Sequence, residues 1–148
     1  MIHIFVDGEL GEALYRQAQR MGVPEPVLHL EAWDERRAVE LSLAPTTRAV
    51  VLPLERLNAH ALRQLSQRKS RVSLLGFQDC SHVEGLDCLN WGVDLSADAR
   101  ASRMLLWDSR RQLGGFYAIN SMGFNQLMES PQFEELAAAA ARFLKFEA

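Results

Sequence analysis

Short apolar runs alternate with helix-spaced stretches through residues 2–77, and that alternation restricts the chain to an α/β fold. Ile2 to Val6 reads as a first strand, punctuated by Asp7 and Gly8. Leu10, Leu14, Ala18 and Met21 then share one helical stripe, with Gly22 placed to cap it and Pro24 and Pro26 barring continuation. Val27 to Leu30 is a second strand, followed by a helix capped by Asp34 that carries Ala38, Val39 and Leu41 and ends before Pro45. Arg48 to Leu54 is a third strand, continuously apolar as in a strand buried on both faces, with Pro53 marking its end. Leu54, Leu57, Ala61 and Leu65 repeat at helical spacing before a fourth strand, Val72 to Phe77. Repeated strand–helix–strand units imply a mostly parallel sheet of four to five strands flanked by helices.

The period fails after Phe77. Residues 78–90 read as a long connection, and Trp91 to Leu95 as a return toward the sheet, with Ser96 or Asp98 as a helix cap. Arg103 to Trp107 fits a strand or a helix equally. Gly114-Gly115 reads as a break, and Phe116 to Met128 as partly helical, giving an irregular second half. A C-terminal amphipathic helix follows, with Ser130 as N-cap, Pro131 in the first position and Glu134 and Glu135 in the first turn. Its apolar face is Phe133, Leu136, Ala137, Ala140, Phe143 and Leu144. At 148 residues the whole is expected to be one domain.

Net charge is −3, so the phosphate attraction behind nucleic-acid binding has no evident source. The clusters Arg68, Lys69, Arg71 and Arg110, Arg111 read as solvated faces. No signal-peptide pattern opens the sequence and no apolar run reaches the ~18 residues of a membrane span, so a cytoplasmic protein without membrane contact is expected. Cys80 and Cys88 imply no disulfide framework, and the Cys-x-Ser-His-x5-Cys stretch lacks a fourth ligand, so no metal or cofactor is expected. His3, His29, His60 and His82 fall in different elements, and no nucleophile–base pairing is visible.

Two groups of residues remain. Asp7 stands at the carboxyl end of the first strand, where ligands collect in open α/β sheets, although an Asp-Gly turn or a helix cap explains it as well. Asp108 with Gly114 and Gly115 would cradle a phosphate if a helix began at Phe116, as in Rossmann-like nucleotide-processing domains. A receiver-like domain would need a phosphate-accepting aspartate ending the third strand, where Leu52-Pro53-Leu54 stands instead, so only a degenerate, regulatory receiver forming a homodimer fits. The aromatic residues Trp91, Trp107, Phe116, Tyr117 and Phe124 are candidate partner-binding anchors, core packing being the alternative.

The run Ile4-Phe5-Val6-Asp7-Gly8-Glu9-Leu10 resembles the start of the adaptor or chaperone family of type VI secretion effectors (the Tap/Tec chaperones). Ala44-Pro45 before Val50 to Leu54, then Trp91-Gly-Val-Asp-Leu-Ser96, and Leu105-Leu106 followed by Gly114 and Phe116-Tyr117, are similar to its later elements in the same order. Gly115 to Asn120 departs from it, lacking the arginines, aspartate and proline of the family's Phe-Tyr segment, and the histidine of its His-Leu-Arg helix is also missing. The resemblance implies a cytosolic, non-enzymatic adaptor that holds a secreted effector as its protein client and helps load it onto the secretion apparatus through apolar and aromatic surface.

Overall fold

The computed structural model describes residues 1–68, 71–81, 89, 102–120 and 122–147. In chain order the elements are β1 (Ile2–Val6), α1 (Glu9–Arg20), β2 (Leu28–Ala32), α2 (Glu35–Leu43), β3 (Ala49–Pro53), α3 (Ala59–Ser66), β4 (Ser73–Asp79), β5 (Ser102–Asp108), β6 (Leu113–Asn120), β7 (Gly123–Ser130) and α4 (Phe133–Glu147). They form a single α/β domain around one seven-stranded sheet of order β2-β1-β3-β4-β5-β6-β7. Strands β1 to β5 pair in parallel, and β6 and β7 add antiparallel.

The mostly parallel α/β architecture expected from the alternation is present. Two further strands come from the second half. Arg103 to Trp107 lies in β5, and Phe116 to Met128, expected to be partly helical, is instead the body of β6 and β7. Gly114 and Gly115 are not a break but lie inside β6. Gln78 and Asp79, expected to open the long connection of residues 78–90, instead end β4, and most of the remaining connection and the Trp91 to Leu95 segment lie outside the described residues.

Side chains of alternate strand residues divide between two cores. One face carries Ile2, Ile4, Val51, Leu75, Phe77, Leu105, Trp107 and Phe116 against Leu14 and Ala18 of α1 and Leu136, Ala140 and Leu144 of α4. The other carries Phe5, Val50, Leu52, Leu74, Met104, Leu106 and Ile119 against Ala38 and Leu41 of α2 and Ala61 and Leu65 of α3. Burial on both sides is why β3 reads as an unbroken apolar run.

Local chemistry sets the helix ends. Asp34 accepts the Arg37 N–H at 3.0 Å, as expected of an N-cap, and Asn58 does the same for Ala61 at 2.8 Å. Gly22, at φ +90°, follows α1 in the left-handed region that favours glycine. The C-terminal helix begins later than its sequence signals suggest. Ser130 ends β7, and its hydroxyl accepts from Gln132 N–H at 3.0 Å and donates to Glu135 at 2.7 Å. The five alanines from Ala137 to Ala141 let α4 lie close against α1, and three of them, Ala137, Ala140 and Ala141, are fully enclosed. Among the described residues no helix is long and apolar enough to cross a membrane.

Candidate functional site

The order β2-β1-β3-β4-β5 reverses direction between β1 and β3, so a crevice opens at their carboxyl ends, where doubly wound sheets bind ligands. Here an ion pair spans it. Arg56, in the tight 3-10 turn after β3, places Nε 2.5 Å and one terminal nitrogen 2.9 Å from the two carboxylate oxygens of Asp7. That bidentate hydrogen bonding lowers the Asp7 carboxyl below its ordinary value. Asp7 therefore does not cap α1, whose N-cap is Gly8 without any side-chain hydrogen bond. Nothing local in the sequence points to Arg56, which stands 49 residues away.

The two neighbouring acids differ from each other. Burial raises the Glu55 carboxyl, with Asp7 and Asp79 adding repulsion. Burial also opposes ionisation of Asp79 at the end of β4, but hydrogen bonds from Ser109 and Ser81 outweigh it and hold that carboxyl low. Among the described residues no three His, Cys, Asp or Glu side chains are grouped to hold a metal ion. The crevice is thus braced by its own side chains.

The phosphate cradle is not formed. Asp108 ends β5 and accepts the N–H groups of Arg110 (3.0 Å) and Arg111 (3.1 Å), closing the turn into β6. No helix starts at Phe116, so no helix N-terminus faces Gly114 and Gly115. Their lack of side chains serves packing instead. A Cβ on Gly114 would stand 2.7 Å from Leu136 and Trp107 side-chain atoms, and one on Gly115 would stand 2.7 Å from the Tyr117 hydroxyl. Arg68, read as part of a solvated basic face, is buried and donates to the Leu65 and Val72 carbonyls.

The aromatic candidates separate by exposure. Trp107 and Phe116, 7% and 5% exposed, belong to the core, and Trp107 meets Phe133 edge-on at 5.6 Å. Tyr117 is half-buried with its ring over Gly115. Trp91 lies outside the described residues. Of the four that are described, Phe124 alone is open to solvent, at 44%. It has company that sequence reasoning missed: Leu127 in the same strand (49% exposed) and Met122 in the preceding turn (93%). Their apolar character was visible, but their exposure follows from the edge position of β7, which no local pattern encodes.

Beside this edge is a hollow of about 310 Å³, walled by Leu106, Leu113, Gly115, Tyr117, Gln126 and Glu129. No protein-family model, curated protein or solved structure matches the chain.

Proposed function

We propose that this chain is a non-enzymatic adaptor or chaperone that holds a protein client against the exposed edge of its sheet. The observation that carries this reading is the set Met122, Phe124 and Leu127, three large apolar side chains held in water on an unpaired edge strand and its turn. The family resemblance makes the client a type VI secretion effector and the place of action the cytoplasm.

Co-expression with each effector candidate encoded beside the gene, followed by light scattering on the purified complex, tests the reading. One candidate should form a complex of fixed ratio. Phe124→Asp and Leu127→Asp should each weaken it by about 2 kcal/mol while the thermal midpoint of the free chain holds. A chain that retains no candidate, or whose complex ignores both substitutions, refutes the reading. So does stabilisation by a nucleotide, which at 100 times its Kd adds about 2.7 kcal/mol.

A second reading, a degenerate receiver-like regulator, is favoured by the strand order and by Asp7 ending β1. It predicts a symmetric homodimer without a separate client.

A further inference from the structure

The two edges of the sheet are guarded differently. β2 is five residues long, and its Glu31 is tied to His3 of β1 at 2.7 Å and to Arg37 of α2 at 3.1 Å. β7 is eight residues long and contains no Lys, Arg or Pro, and its sole charged side chain is Glu129. Edges are ordinarily blunted by shortness, cations, proline or bulges. β7 has one of these devices, the register shift opposite Phe116 and Tyr117. One side of the strand therefore offers main-chain N–H and C=O groups that no neighbouring strand among the described residues satisfies.

The adjoining hollow gives that edge a chemical preference. Leu106 and Leu113 supply apolar wall, and Asp108 on the rim is already occupied by its turn amides and by Arg111, 3.7 Å away. Glu129 is not so occupied. The Gln126 amide lies 3.5 Å from it, and no cation among the described residues pairs with it. Glu129 stands on the edge strand itself, so a neighbouring strand meets this unpaired carboxylate first, with the apolar wall behind it, and a cation on an aliphatic stem matches both.

We infer that β7 takes an extended segment of the client as an eighth strand, and that the hollow selects a lysine or arginine on that segment. This deepens the adaptor reading and rests on it. Main-chain pairing supplies the grip and the hollow the choice, as in other strand-addition complexes. A second copy of this chain fits less well. Its own β7 has no cation to offer and would bring another Glu129 to the same edge.

The probe is a capped ten-residue peptide of alternating Val and Thr with one central Lys, titrated into the full chain and followed by amide NMR and calorimetry. The Lys peptide should shift β7 amides, and its Lys-to-Glu counterpart should bind at least tenfold more weakly. Glu129→Lys should reverse that order without moving the thermal midpoint, and N-methylation of alternate peptide amides should abolish binding. Absence of Lys-peptide binding at 1 mM, equal affinity for the Lys and Glu peptides, or indifference to N-methylation overturns the inference. So does concentration-dependent dimerisation that Phe124→Asp abolishes. The adaptor reading fails separately: a fixed-ratio client complex that ignores Glu129→Lys sinks the inference alone, whereas the lack of any client complex sinks the adaptor reading.

Discussion

His3 shows how one buried side chain ties stability to acidity. Its Nδ1 lies 2.7 Å from Glu31, which draws a proton toward the ring, and its face stacks on His29 at 5.0 Å. Burial is the larger effect and lowers its pKa. An unfolded histidine takes up its proton near about 6.5, whereas the folded one does so only at lower pH. Between those values the unfolded state binds more protons, so the His3 contribution is complete above ~6.5 and declines as pH falls below it. Urea midpoints should therefore drop between pH 7.5 and 5.5, and His3→Gln should flatten that slope. Gly76 makes a second prediction. A Cβ there would lie 2.6 Å from Leu54 Cδ2 and 2.8 Å from Met104 Sδ, so Gly76→Ala should cost about 1–3 kcal/mol in equilibrium unfolding. Single residues were the hardest level to read from sequence. Asp7-Gly8 has the form of a local turn, yet its carboxylate answers to Arg56 across the crevice, and Gly114-Gly115 has the form of a break, yet it makes room for Leu136, Trp107 and Tyr117.

At the scale of elements, the caps carry definite energies. Asn58→Ala removes the acceptor for the Ala61 N–H and should destabilise the chain by about 1 kcal/mol, read from thermal or urea unfolding. Asp34 was legible because its helix starts cleanly after it. Asn58 was not, since Leu54 and Leu57 continue the helical spacing through the 3-10 turn that precedes α3. Strands β1, β3 and β4 were visible as apolar runs because helices cover both of their faces. The β6–β7 hairpin was missed for the opposite reason. Its alternation is broken by the register shift near Tyr117, and its edge strand keeps Phe124 and Leu127 in water, so neither burial nor period marks it. Hydrogen exchange should separate the two kinds of strand, with the unpaired β7 amides exchanging fastest and those of β3 slowest.

For the whole molecule, the decisive arrangement is that one face of the sheet is closed jointly by α1 and α4. Ending the chain after Gln132 would bare the part of that face that α4 covers, Leu105, Trp107 and Phe116 of β5 and β6, and one flank of α1. Such a truncation should be expressed as aggregate, or bind a hydrophobic dye when held in solution, whereas the full chain should not. The sequence conveyed the architecture because strand–helix alternation is a repeated signal, and it withheld the working surface because an edge exists only once all seven strands are in order.

The partnership of α1 with α4 also has a consequence for biosynthesis. At roughly 5–20 residues per second, a ribosome that has released α1 needs on the order of 6–25 s more to deliver α4. As β3 to β7 appear one after another within that interval, the nascent polypeptide carries them on a face whose second cover is still missing. It therefore depends on being shielded during its own birth, and a pause in translation before Phe133 would prolong that dependence.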